Sequence, residues 1–405
     1  MTSATMTGRE GGAQELKTLI IISLVHLISH YYWLVFAPLM PALKDLLGVS
    51  YTQIGVAITV MNAVTALTQA PTGFIVDRYG PRLLLFVGML IGSAGFIIIG
   101  LVPTYWMFIF GAVLIGLGNA VYHPADFSIL SAEMSPTKMG RAFSIHSFTG
   151  YIGFAIAPPL AALFLWMDGV RLALIATGVL GLLVSLLLLP GMGIEQRGLK
   201  TARSLPKVDK PQASAMSLMT PSVIALTIMF TTLNMSTGIV QTYLAVALEG
   251  LFAIPIAVGN GALTAFLTTM VVGILLGGMM ADKVKYQSTI AGTGLAICAV
   301  LLFIAGTFNL GTTGTISIVA LSGFLGGIII PSRDLLVRQA SPPHAVGRTF
   351  GIVTTGFNFG GMIGPLLGGI AVDHNMPVWV FYLSAIFTLV TVFIALAVDR
   401  RSTKA

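Results

Sequence analysis

The chain has 405 residues, 56% hydrophobic and only 9% charged, with a formal net charge of +7. Soluble globular chains carry about 25% charged residues, so this composition excludes a water-soluble enzyme or binding module. The positive charge lies between apolar stretches rather than in one basic patch, which argues against nucleic acid as a partner.

A segment needs about 20 apolar residues to cross a hydrocarbon core, and twelve such spans are predicted. Residues 1–17 are polar and lead into span 1 at 18–40 with no small-residue cleavage site, so no removable signal peptide is expected. Span 1 carries His26 and His30 four residues apart, then Tyr31, Tyr32 and Trp33. Such a histidine pair can bind a metal, but no cysteine or carboxylate joins it in the span. Hydrogen-bonded imidazoles or a cavity lining, with His30 the deeper residue, are expected instead, with no metal and no cofactor. The aromatic run fits either an interfacial belt or a cavity wall.

Span 2, 52–76, ends in GFIVDRYGPR, which sets Gly73, Asp77, Arg78 and Arg82 around the turn into span 3 at 83–102. Span 4, 105–131, contains VYHPAD: Tyr122, His123, Pro124 and Asp126. An intramembrane carboxylate is costly and marks function by default, and Pro124 removes a helical hydrogen bond. Asp126 precedes Glu133 by seven residues, roughly 10 Å inside the helix end at about 1.5 Å per residue. Span 5, 143–166, holds His146, Gly153 and Pro158, and span 6 follows at 171–190.

Residues 191–220 carry five basic side chains and two prolines and read as a flexible linker. Spans 7 to 12 follow at 221–248, 256–281, 287–308, 313–338, 347–371 and 378–398. Asp282 lies just beyond span 8, Arg333 and Asp334 lie within span 10, and Gly360, Gly364 and Pro365 lie within span 11. Cys298 is the sole cysteine, which excludes an internal disulfide. The neutral amides Asn62, Gln69, Asn119, Asn234, Gln241 and Asn358 fit hydrogen bonds between helices.

With twelve spans, 19 of the 21 Lys and Arg fall on one face and only Lys44 and Arg171 on the other. The positive-inside rule then puts both termini in the cytoplasm. The two sets of six spans are related. At a constant separation of 207 residues, Gly116 matches Gly323, Pro124 matches Pro331, Arg141 matches Arg348, Gly153 matches Gly360 and Pro158 matches Pro365. At 205, Gly73, Asp77 and Arg78 match Gly278, Asp282 and Lys283. Two parallel six-helix repeats imply a two-fold pseudo-axis along the membrane normal and a substrate site between the halves. The expected organisation is a half at 1–190, a linker at 191–220 and a half at 221–405.

These features resemble the major facilitator superfamily over nearly the whole chain. GFIVDRYGPR resembles its signature loop, so Gly73, Asp77, Arg78, Arg82, Glu133 and Asp282 are expected to gate the cytoplasmic side. The chain has Pro81 where many members have a basic residue, and Ala112 where an arginine is expected. GFAIAPPLAA at 153–162 and GGMIGPLLGG at 360–369 resemble the family's glycine–proline packing motif, placing Gly153, Pro158, Gly360, Gly364 and Pro365 at helix contacts. GLGNAVYHPAD and PSRDLLVRQASPP most resemble fosmidomycin-resistance-like exporters.

The resemblance implies an all-α major facilitator fold working by alternating access, a monomer in the bacterial inner membrane surrounded by lipid. No enzymatic activity is expected, since the chain has no GxSxG-type, HExxH or paired-aspartate motif. The expected cargo is a small anionic or amphoteric solute, coupled to protons, with export preferred to uptake of a small carboxylate. A non-transporting sensor would carry a soluble output domain, and the longest polar stretch here is about 30 residues. The solute and proton pathway is expected to include His30, Tyr122, His123, Asp126, His146, Arg333 and Asp334, with Asp126 and Arg333 at equivalent depths of the two repeats.

Overall fold

The computed structural model describes residues 3–135, 138–189, 218–281, 287–342 and 346–402. Among them the chain is all-helical, without strands. The helices are α1 (Ser3–Leu34), α2 (Phe36–Leu47), α3 (Tyr51–Tyr79), α4 (Pro81–Leu101), α5 (Tyr105–Glu133) and α6 (Met139–Ser185). After them come α7 (Pro221–Phe252), α8 (Ile256–Ala281), α9 (Gln287–Thr307), α10 (Gly311–Gln339), α11 (Val346–Asp373) and α12 (Trp379–Ser402). Ten helices are long and apolar enough to cross a membrane, and α9 adds the shorter apolar stretch Gly292–Thr307. The 47 residues of α6 supply two spans, because Asp168 and Gly169 leave the helical region between them. The protein is thus an all-α, multi-pass membrane protein with the twelve predicted crossings. Most of the linker, with Asp282 and Pro343, falls outside the described residues.

Local chemistry sets several helix ends. The Thr220 hydroxyl accepts the Val223 N–H at 3.3 Å, and Pro221 opens α7, where a missing N–H costs nothing. Gly80 adopts φ 99° immediately before Pro81, so the reversal from α3 to α4 needs a residue without a Cβ.

The chain packs as two compact units. The first comprises 1–35, 64–157 and 163–210, and the second 36–63, 158–162 and 211–405. In the first, α4 and α5 approach closely: a Cβ at Gly95 would lie 2.7 Å from the Gly111 carbonyl oxygen, and one at Gly111 2.8 Å from that of Gly95. Small residues let helix backbones meet where lipid supplies no hydrophobic drive. In the second unit, Val223, Leu226, Met229 and Phe230 of α7 form a core with Leu336 and Val337 of α10, Val353 of α11 and Ala395 of α12.

Hydrogen bonds and glycine contacts between helices recur in each unit. Thr65 on α3 donates to the Gly116 carbonyl on α5 at 3.1 Å, and Thr269 on α8 donates to the Ala320 carbonyl on α10 at 2.6 Å. Gly153 packs α6 on α1 at Leu27 and His30, and its counterpart Gly360 packs α11 on α7 at Thr231 and Asn234. A Cβ at Gly364 would lie 2.9 Å from the Met235 carbonyl oxygen.

Candidate functional site

Three helices of the first unit bring four of the chain's six histidines around one carboxylate. His26 and His30 come from α1, His123 and Asp126 from α5, and His146 from α6. Asp126 is fully buried, with His26 3% and His146 1% exposed. Asp126 Oδ2 lies 3.5 Å from His26 Nδ1 and 3.6 Å from His146 Nε2. These separations exceed a good hydrogen bond, and both Asp126 oxygens, His26 Nδ1 and both His146 ring nitrogens have no hydrogen-bond partner. The His26 and His146 rings stack at 3.8 Å, and His26 lies 4.4 Å from His30 and 5.4 Å from His123, centroid to centroid. Tyr122, one turn before Asp126, buries its hydroxyl without a partner.

Glycine makes room for this cluster. A Cβ on Gly150 of α6 would lie 2.7 Å from His26 Nε2 and 3.0 Å from His30 Cε1, so α1 and α6 approach closely enough only without it. Two hydroxyls one turn along are committed elsewhere: Ser29 donates to the His26 carbonyl at 2.7 Å and Thr149 to the His146 carbonyl at 2.8 Å. Pro124 sits inside the single uninterrupted helix α5.

In the second unit Arg333 is 7% exposed on α10. Its Nη2 lies 2.8 Å from Asp334 Oδ1, and its guanidinium carbon lies 4.5 Å from the Phe230 ring centroid and 5.1 Å from that of Phe357. Asp126 and Arg333 therefore each have ionisable neighbours within their own unit.

The gating candidates are spread over several helix ends. Gly73 and Asp77 lie on α3; the Asp77 side chain is outside the description. Arg78 is exposed, its guanidinium 5.3 Å from the Tyr79 ring centroid. Arg82 donates from Nε to the Leu188 carbonyl at 2.6 Å, and Glu133 ends α5 half-buried. Sequence reasoning missed Glu15 of α1, which accepts from the Ser135 N–H at 3.1 Å and from Lys138 Nζ at 2.7 Å. It also ranked His26 below His30, although His26 is the one beside Asp126. Tyr31 and Tyr32 form no aromatic belt: both are buried, bonded at 2.8 Å to Thr177 and Ser93 respectively. Of the amides, Asn119 and Asn234 reach other helices at Thr65 and the Phe357 carbonyl, whereas Asn62 bonds back to Ile58 of its own helix.

Comparison with known proteins assigns this architecture. The Major Facilitator Superfamily matches residues 22–263 and 224–405. The chain is similar to the fosmidomycin resistance protein of Escherichia coli (strain K12), 24% identical over 387 residues that cover 94% of this chain and 92% of that one. It is also similar to an uncharacterized MFS-type transporter of Bacillus subtilis (strain 168), 26% identical over 374 residues, covering 91% and 89%. Its fold is similar to the crystal structure of a bacterial homolog of the human lysosomal transporter Spinster, with TM-score 0.78, 15% identity, and 94% and 96% of the two chains covered. The chain therefore belongs to the Major Facilitator Superfamily and is a membrane transporter of a small-molecule solute, not an enzyme.

Proposed function

We propose that the protein moves a small anionic or amphoteric organic solute across the bacterial inner membrane by alternating access, driven by the proton gradient and in the direction of export. The observation that carries this reading is Arg333. A guanidinium inside a membrane helix is expensive and functional by default, and this one lies against two phenylalanine rings and beside the Asp334 carboxylate. A planar, permanently charged donor fork suits carboxylate and phosphate groups. Outward movement is supported by a relative named for resistance to fosmidomycin. The chain has no GxxxxGK[ST] phosphate-binding loop, so an ion gradient is the fitting energy source for uphill movement. The Lys and Arg asymmetry supports cytoplasmic termini.

Inverted membrane vesicles and proteoliposomes, given a panel of small organic anions and a pH gradient imposed either way, test the reading. The expected result is saturable, gradient-driven uptake of one anion class into inverted vesicles, lost in Arg333→Gln. Transport of neutral or cationic solutes with Arg333→Gln indifferent would overturn the substrate class. Flux indifferent to the pH gradient would overturn proton coupling.

A further inference from the structure

We propose that His26, Asp126 and His146 form a binding site for one divalent transition-metal ion of the zinc class, drawn from α1, α5 and α6 and held within the first unit. The inference does not rest on the proposed solute or on its direction of transport.

The donor geometry is the first argument. The three ligand atoms lie within 4.8 Å of one another, with the carboxylate oxygen 3.5 Å from one imidazole nitrogen and 3.6 Å from the other. Tetrahedral zinc holds such ligands at about 2.0–2.1 Å, which sets them about 3.3 Å apart. Two edges of the site are therefore within a few tenths of an ångström of that spacing. The third is set by the stacked rings, whose planes are 24° apart. A ligating imidazole points its nitrogen at the metal in its own plane, so binding turns one ring out of the stack.

The second argument is polar satisfaction. Five nitrogen and oxygen atoms of these three side chains are buried without a hydrogen-bond partner. An unsatisfied buried polar atom costs about 1–3 kcal/mol, and buried charges are paired or coordinate metals. Ser29 and Thr149, three residues beyond His26 and His146, are bonded to backbone carbonyls. A single cation would satisfy one atom of each side chain at once.

The donor set selects the ion. Two imidazoles and one carboxylate suit zinc and its transition-metal neighbours, whereas magnesium and calcium require oxygen ligands. Three protein ligands also leave a fourth position open, with the His123 ring 5.4 Å from His26. The two histidines of span 1 lacked a carboxylate in their own helix; α5 supplies it.

Metal binding to purified, untagged, chelator-stripped full-length protein tests the proposal, with Co²⁺ as the optical probe and Zn²⁺ as competitor. The expected result is one equivalent of Co²⁺ with the visible absorption of a four-coordinate nitrogen–oxygen site, displaced by Zn²⁺. Apparent affinity should fall at least tenfold in His26→Gln, Asp126→Asn and His146→Gln, each checked for a monodisperse elution profile. It should be unchanged in His374→Ala, which removes an exposed histidine of the second unit. No saturable Co²⁺ or Zn²⁺ binding by folded wild-type protein overturns the site and leaves the cluster to protons or water. Binding that survives all three substitutions, or disappears with His374→Ala, overturns it as well. None of these readouts measures solute flux, so a failure here is distinct from a failure of the proposed transport.

Discussion

Asp126 Oδ2 of α5 lies 3.5 Å from His26 Nδ1 of α1, and neither atom has a hydrogen-bond partner. The contact joins residues 100 positions apart, and the rings of His30, His123 and His146 gather round it. Its geometry depends on how closely α6 lets α1 approach, and Gly150 controls that distance.

Gly150→Ala should therefore disturb the cluster without replacing a titratable group. The new methyl would lie 2.7 Å from His26 Nε2, tighter than packed atoms tolerate, so the imidazole or the helix must move. Overpacking of this kind costs about 1–3 kcal/mol. The expected outcome is a lower thermal midpoint together with weaker Co²⁺ binding. Gly351→Ala, at an α11 position where a Cβ meets nothing within 4 Å, serves as the control. Equal behaviour of the two variants would show that Gly150 does not set the approach of α1.

The sequence shows why such a contact was out of reach before the structure. Length and continuity of apolar runs identify membrane spans because lipid demands them, and all twelve crossings follow from that one constraint. The internal repeat marked Gly153 and Gly360 through their shared register, and both lie at helix crossings. Which side of α1 meets α5 is a matter of helix rotation. In a span apolar on every face, no hydrophobic stripe records it. Depth alone therefore favours His30, although His26 is the one beside Asp126. The same ambiguity hid the phenylalanines over Arg333, since Phe230 and Phe357 are two among 23.

Arg333→Gln should separate solute recognition from folding. Its carboxylate partner Asp334 has a side chain 44% exposed, so removing the arginine leaves a solvated charge rather than a stranded one. Arg333 itself is buried, so the stability loss should be that of a partly buried ion pair and its cation–π contacts, about 1–3 kcal/mol. Phe357→Ala removes one cation–π contact, worth about 0.5–2 kcal/mol, and should weaken anion binding roughly 2- to 30-fold. Equilibrium binding of the transported anion, beside a thermal melt, measures both. Unchanged affinity in both variants would remove Arg333 from the solute site.

The 19-to-2 distribution of basic residues predicts orientation. Single cysteines introduced at Gly198 and Ser402, in a Cys298→Ser background, should react with an impermeant maleimide only after the membrane is opened. A cysteine replacing Asn375, in the turn after α11, should react in intact cells. Labelling of Gly198→Cys from outside intact cells reverses the assignment of the two faces.

Asp373 supports a helix end that the sequence did not reveal. Its two carboxylate oxygens accept the N–H groups of Tyr51 and Thr52, at 3.0 and 2.7 Å, in the first turn of α3. The first four N–H groups of a helix lack internal partners, and negative charge is favoured there. Tyr243 on α7 adds a bond from its hydroxyl to the Tyr51 carbonyl at 3.2 Å. Hydrogen bonds to a charged group contribute about 1.5–3 kcal/mol, so Asp373→Ala should lower stability by about 2 kcal/mol. Asp373→Asn keeps one acceptor oxygen and loses the charge, for which about 1 kcal/mol is expected. Tyr243→Phe removes a neutral bond and should cost about 1 kcal/mol. Because both residues hold Tyr51, their effects should couple rather than add. A double-mutant cycle on thermal or denaturant unfolding in detergent measures that coupling. Strict additivity would mean that the two residues hold Tyr51 independently, and an Asp373→Ala variant as stable as wild type would mean that water satisfies the start of α3 and that the carboxylate contributes no anchor.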